Sequence, residues 1–506
     1  MLIKLGYKTS ALIGGALSAL VFPPVYLWQV FVPVLLGMWC LCNKLASYKQ
    51  TAALGYFYGF GFFAAGFYWV GNALLIDIAT FGWLYPIALA AAGAFFGLFM
   101  ILPFVMWRFG RGVISKVAGF AAAWVLMEWL RSFLFTGFPW NMLGTAWTFH
   151  PVFVQTAALW GTYGLSFVML IWCGTLYGYI CEKSNKYGAA FILIPLLLLG
   201  FGAWRIHNYP QIDSGVTVRL VQPSIPQQMK WNRESLEDNF YQYINMSTES
   251  GLDKVDLVVW GETAMPFSLD HDNVYRQEIL QAVPPHGYLI TGALRQGDAQ
   301  DDYNYFNSLF VLNKKGDIEG FYDKHHLVPF GEYIPLRRFL PKWVRPVTNA
   351  VADFGVGKQY KNIKLEKIPS FGALICYEII FPDEVIDRNN PPQWLLVLTN
   401  DGWYGNSAGP YQHLVAAQMR AVEEGIAIVR SANSGISAVI SPIGEILKNI
   451  PLNKKSVIDV KLPYRSKIST FYGSIGGKTI NALMLLILCL LIIYKRLPEH
   501  IASKNS

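Results

Sequence analysis

The run "YGAAFILIPLLLLGFGAW", Tyr187 to Trp204, contains no charged side chain. A backbone in hydrocarbon must satisfy its own hydrogen bonds, and about 20 apolar residues of helix cross a bilayer core of about 30 Å. The run therefore predicts a membrane helix. Comparable stretches cover Ser10 to Val21, Val25 to Cys42, Thr51 to Leu75, Trp83 to Trp107, Val117 to Leu130, Tyr163 to Ile180 and Thr479 to Tyr494, giving eight expected spans. Composition agrees, with 53% hydrophobic and only 15% charged residues, far more apolar than a soluble average.

Short basic loops stay on the cytoplasmic face. Lys4 and Lys8, Lys44 and Lys49, Arg108, Arg111 and Lys116, Lys183 and Lys186, and Lys495 with Arg496 fall in alternate connections, while Arg131 is the main basic residue in the others. Both termini are expected to be cytoplasmic. Lys4 and Lys8 would also suit a signal peptide, but no small-residue cleavage site precedes "FPPVY", which favours an uncleaved first helix. The expected organisation is a seven-helix membrane domain over 1–204, an extracytoplasmic (periplasmic) domain over 205–478, and an eighth helix with a cytoplasmic tail over 479–506. The net charge of +8 is largely explained by the cytoplasmic loops, and no Arg-rich stripe suits nucleic acid. Glu128 and Arg131, at the outer end of the fifth span, read as an i, i+3 ion pair.

Five of the six cysteines lie in or at the end of predicted spans and read as small apolar filler; only Cys376 lies in the extracytoplasmic segment. An odd thiol in an oxidising compartment is a liability unless its chemistry is used.

From Val216 to Asp459 the pattern changes to short apolar runs: "VTVRLVQ", "VDLVVWGE", "GYLITGAL", "NSLFVLN", "FGALICYE", "WLLVLTND", "IAIVRSAN" and "SAVISP". Helical patterns intervene at Arg233 to Ser250, Tyr275 to Ala282 and Pro410 to Glu424. Continuous rather than alternating apolar character implies strands buried on both faces, hence a layered α/β domain. In such sheets sites gather at the carboxyl ends of strands. There the runs deliver Glu262, Cys376, and Asn400 with Asp401, and Lys324 follows another run after a turn.

A free thiol near pKa 8.5 is only a few per cent ionised at neutral pH, so a nucleophilic cysteine needs a base or a cation. Glu262 can accept the proton, and Lys324 can stabilise a thiolate and then an oxyanion. A helix starting after Cys376 would add backbone N–H donors, that of Tyr377 first. Each residue type alone is unspecific. His325 and His326 have no third ligand at metal spacing and read as structural.

The segments "WGET", "YDKHHLVPFGEYIP", "ICYEIIFP" and "LTNDGWYG", in this order, closely resemble the nitrilase superfamily, and the likeness runs from about Val216 to Asp459. With eight surrounding spans the chain is similar to the bacterial apolipoprotein N-acyltransferase family. The resemblance implies an αββα sandwich with Glu262 as base, Lys324 as oxyanion-stabilising residue and Cys376 as acylated nucleophile. It implies supporting roles for Glu332, Tyr377 and Glu378, and substrate contact by Trp231. Asn400 and Trp343 are further substrate-contact candidates.

The reaction implied is transfer of an acyl chain from a phospholipid donor, through a Cys376 thioester, to the α-amine of a diacylglyceryl lipoprotein acceptor. At about 0.8 kcal/mol per CH₂, lifting a 16-carbon chain into water costs on the order of 12 kcal/mol, which suits work at a bilayer surface. The insert Leu336 to Gly357 mixes Phe339 and Trp343 with Arg337, Arg338, Lys342 and Arg345 and reads as a lid that dips into the outer leaflet. No metal or nucleotide motif is present, so no cofactor is expected, and the chain is taken as a monomer. Two alternatives stay open: a membrane-tethered amidase with the same triad, and an inactive ectodomain on a transporter or receptor.

Overall fold

The computed structural model describes residues 6–209, 213–267, 269, 273–297, 305–335, 337–339, 353–463 and 469–496. The chain forms two units: one comprises 1–71, 78–208 and 470–506, the other 72–77 and 209–469.

The first unit is helical. Among the described residues, five helices are long and apolar enough to cross a membrane: Ile78–Phe109, Val113–Leu130, Ala157–Glu182, Asn185–Asn208 and Gly477–Lys495. The first three predicted spans fold as the helices Tyr7–Ser18, Trp28–Lys44 and Tyr48–Gly66, the last followed by a 3-10 segment over Tyr68–Leu75. Because lipid is as apolar as a leucine, membrane helices associate through close backbone approach at small residues. Gly15 shows the requirement, since a Cβ there would lie 1.9 Å from the carbonyl oxygen of Tyr58. Glu128 and Arg131 do not form the expected ion pair. Glu128 accepts from Trp124 Nε1 at 3.0 Å and Leu143 N at 2.7 Å, while Arg131 donates to the Trp140 carbonyl at 3.0 Å. Both tie down the irregular segment after the helix, whose backbone groups would otherwise go unpaired at depth.

Among its described residues the second unit contains twelve strands in two six-stranded sheets. The first sheet comprises β1 (Asp213–Gln222), β2 (Leu257–Val259), β3 (Tyr288–Gln296), β4 (Tyr305–Leu312), β5 (Ile318–Asp323) and β12 (Ser456–Pro463), in the order β12-β1-β2-β3-β4-β5. The second comprises β6 (Asn362–Leu365), β7 (Ile368–Ile375), β8 (Trp394–Thr399), β9 (Ala427–Ala432), β10 (Ser437–Ile440) and β11 (Ile446–Ile450), ordered β11-β10-β9-β8-β7-β6. In each sheet three central strands run parallel, β1-β2-β3 and β7-β8-β9, and the flanking strands pair antiparallel.

Side-chain alternation along a strand assigns the two faces of each sheet. Leu257 and Val259 face a core shared with Phe371, Ala373, Leu396 and Val429 of the second sheet. Val258 and Trp260 face Phe240, Tyr243 and Ile244 of the helix Leu236–Ser247. The helix Gly409–Glu424 covers the second sheet, and its buried side mixes Leu414, Val415 and Val422 with His413 and Arg420. This is an αββα sandwich, and each buried Leu, Val or Phe of its core stabilises it by about 1.5–3 kcal/mol relative to exposure. The eight apolar runs all supply strands; "VDLVVWGE" supplies a short one, because the chain leaves β2 after Val259 and turns toward the site.

Candidate active site

Strand ends from both sheets converge. Glu262 follows β2 and Lys324 follows β5 in the first sheet, whereas Cys376 follows β7 in the second. Cross-sheet bonds fix their spacing: Glu262 N donates to the Thr399 carbonyl at 3.3 Å, and Ser431 Oγ to the Val259 carbonyl at 3.1 Å. Gly261 permits the approach, since a Cβ there would lie 2.5 Å from Asn433 N.

Lys324 Nζ sits 2.9 Å from Glu332 Oε2 and 3.6 Å from Glu262 Oε1, and is 1% exposed. Burial alone would lower the lysine pKa, but the carboxylates of Glu332 and Glu262 outweigh it and hold the pKa above its ordinary value. Asn307, on β4, donates its amide to Glu262 Oε1 at 2.8 Å and Glu332 Oε1 at 2.9 Å, keeping the two like charges in place. Glu332 Oε2 also accepts from Val328 N at 2.8 Å. A surface pairing of Lys324 with Asp323 does not form; Asp323 binds Arg295 instead.

Cys376 is 5% exposed and has φ +52°. A non-glycine residue in the left-handed region costs about 1–3 kcal/mol and persists only when its surroundings over-determine it. Two clamps do so. Glu378 Oε2 accepts from Ile375 N at 2.6 Å, and His413 Nε2 lies 3.1 Å from the Cys376 carbonyl. Burial pushes the thiol up to about 12, reinforced by Glu262 and opposed by Lys324 and the Thr399 hydroxyl. Burial thus favours the neutral thiol over a thiolate held by Lys324.

The segment after Cys376 is one 3-10 turn, Cys376–Ile380, rather than a longer helix. Glu378 Oε1 accepts from Tyr322 Oη at 2.7 Å, His325 N at 2.8 Å and His326 N at 3.0 Å, so it binds the lysine loop to the nucleophile's turn. Burial raises its pKa above the ordinary carboxylate value, against the pull of these donors. Tyr377 is buried beside Phe381 and His326, and the His326 ring stacks on Phe381 at 3.8 Å. His325 and His326 accordingly sit in structural contacts.

Asn400 is buried with its amide donating to Gln227 at 2.7 Å and its oxygen accepting from Asn433 at 3.3 Å. Trp231, 43% exposed, directly follows the one-turn helix Gln227–Lys230. Arg337 pairs with Asp353 at 2.7 Å near the two ends of the insert, and Phe339 is exposed; Trp343 and most of that insert lie outside the described residues.

Sequence reasoning missed Asn307, Lys230, His413 and Arg430. Asp401, His413 and Arg430 form a fully buried cluster: Asp401 Oδ1 is 2.8 Å from His413 Nδ1, and Arg430 donates to Asp401 Oδ2 at 2.6 Å. The available signal was a polar residue interrupting an apolar strand, as in "YFNSLF" and "IAIVRSAN". Among the described residues no group of His, Cys, Asp and Glu could hold a metal ion.

The carbon–nitrogen hydrolase family matches residues 217–468, and the apolipoprotein N-acyltransferase N-terminal domain matches 14–176. Similar curated proteins are named apolipoprotein N-acyltransferase. The protein of Rhodopseudomonas palustris is 35% identical over 98% of this chain and 97% of its own length. That of Rickettsia bellii is 35% identical over 94% and 95%, and that of Brucella melitensis 34% identical over 97% and 96%.

Proposed function

Since the chain belongs to the apolipoprotein N-acyltransferase family, a membrane-integral group of N-acyltransferases with a carbon–nitrogen hydrolase domain, we propose that Glu262, Lys324 and Cys376 carry out the transfer in two steps. The observation that carries the reading is the convergence of a buried neutral thiol, a carboxylate and a lysine from three strand ends of two sheets.

In the first step Cys376 Sγ attacks the ester carbonyl of a phospholipid while Glu262 takes the thiol proton. A carbon–sulfur bond forms, and the carbonyl oxygen becomes an oxyanion facing Lys324 Nζ and the Tyr377 N–H. Collapse breaks the carbon–oxygen bond, and Glu262 returns the proton to the departing lysophospholipid. In the second step the α-amine of a diacylglyceryl-cysteine attacks the thioester. Glu262 takes the amine proton, the carbon–sulfur bond breaks, and the thiolate recovers a proton. Conversion of thioester to amide runs downhill, which suits a thiol relay.

Glu332 and Asn307 orient Lys324 and Glu262, Tyr377 and Glu378 shape the pocket, and Trp231, Trp343 and Asn400 meet substrate. The alternating Lys and Arg loops support cytoplasmic termini and a catalytic domain on the periplasmic side of the inner membrane. The chain works as a monomer in this scheme.

Purified protein incubated with acyl-labelled phospholipid is expected to gain a hydroxylamine-sensitive label on Cys376, which a diacylglyceryl lipopeptide then removes as an amide. Absence of the label in wild type refutes the scheme. Release of free fatty acid regardless of lipopeptide points to hydrolysis instead.

A further inference from the structure

Lys230 ends the helix Gln227–Lys230 and has no part in the chemistry above. Lysines are almost never fully buried unless paired, yet Lys230 is 5% exposed. Its ammonium donates to the backbone carbonyl of Glu262 at 2.9 Å and to the Thr263 hydroxyl at 2.6 Å. Both partners are neutral oxygens, and among the described residues no ion pair holds it.

Thr263 has φ +45°, a conformation that a β-branched residue keeps only under constraint. The lysine supplies that constraint and so fastens the strained unit that carries the base. At the other end of its short helix, Gln227 accepts from the Asn400 amide at 2.7 Å. A buried cation held by neutral oxygens is unfavourable unless negative charge lies or develops nearby. The titratable groups acting on Lys230 are Glu262 and Cys376, the pair between which the thiol proton passes in the proposed reaction.

Resting on the acyl-transfer reading, we propose that Lys230 is a second lysine of the active site, a positioning residue that holds the Glu262–Thr263 unit and whose positive charge acylation of Cys376 requires.

Burial pulls Lys230 down to about 8, with Glu262 and Cys376 pulling it back up. Lys324, Asp401 and Tyr404 face Cys376 as well. The ammonium is therefore present below pH about 8 and lost above it. Acylation should fall as pH rises through about 8, against the rise that ionisation of an isolated thiol would give.

The test measures single-turnover acylation of Cys376 from labelled phospholipid by the full-length protein in detergent micelles, between pH 6 and 10. Wild type is expected to show the alkaline fall. Lys230→Met is expected to be about 10²-fold slower at pH 7 and to lack that fall. Lys230→Arg, whose guanidinium stays charged, is expected to react faster than Lys230→Met and also to lack it. An alkaline midpoint unchanged in both variants, or a wild-type rate in Lys230→Met, overturns the inference. If Lys230→Met does not fold, the Arg profile decides alone. Failure of wild type to acylate at any pH overturns the acyl-transfer reading together with this inference, whereas acylation indifferent to Lys230 overturns the inference only.

Discussion

The cluster of Glu262, Lys324 and Glu332 and the cluster of Asp401, His413 and Arg430 are both buried, both charged and both adjacent to Cys376. They differ in what is left over. In the second, Asp401 Oδ1 meets His413 and Thr399 while Oδ2 meets Arg430. In the first, Glu262 Oε1 has the Asn307 amide at 2.8 Å and a lysine 3.6 Å away. One cluster lies beside the sulfur and the other holds the backbone beneath it. Burial and charge are common to both, so neither property alone marks chemistry; an acceptor beside a nucleophile does.

The contrast breaks most readily at Glu262. Glu262→Gln keeps the shape and the Asn307 bond but cannot take a proton, so acylation should fall by about 10³- to 10⁴-fold with an unchanged melting temperature. A rate within tenfold of wild type would erase the distinction between the clusters. Asp401→Asn should do the reverse. It leaves Arg430 buried without its counter-charge, a loss of about 3–5 kcal/mol, read as a large drop in melting temperature while the remaining folded molecules stay within roughly tenfold of wild-type turnover.

The smallest effect is acid sensitivity. Burial, helped by Arg430, holds the His413 pKa below its ordinary 6.5, so the unfolded chain binds that proton more tightly. Stability from this source is full above pH 6.5 and declines as pH falls through and below it. Asp401, held low by Arg430 and His413 despite burial, adds a loss of the same sign at more acid pH. Thermal melts between pH 7.5 and 5.5 should shift downward in wild type and less in His413→Gln; equal shifts would remove His413 as the cause.

Central strands were legible because they are largely buried and rich in Val, Ile and Leu, as in "WLLVLT" of β8. The edge strands β5, β6, β11 and β12, with sequences such as "ILKNI" and "SVIDVKLP", are half-exposed and carry charge, and they are not among the apolar runs that predict strands. Their pairing is set by the neighbour strand rather than by their own composition. Cys376 and Glu262 stood out as reactive groups ending apolar runs, and Lys324 as a candidate that follows such a run after a turn. Asn307, Lys230 and His413 did not, because their meaning lies in which distant oxygen each one touches, and periodicity carries no such information.

The first and last strands of the sandwich, β1 and β12, lie side by side. Arg219 on one binds Asp459 on the other through two bonds of 2.8 Å. Closing so long a loop is entropically slow. During synthesis Glu262 and Lys324 emerge well before Cys376, and the strand that completes their sheet emerges after all three. The first sheet is therefore closed only once the chain has come full circle, so the two sheets that hold these residues are finished by the last strand to be made.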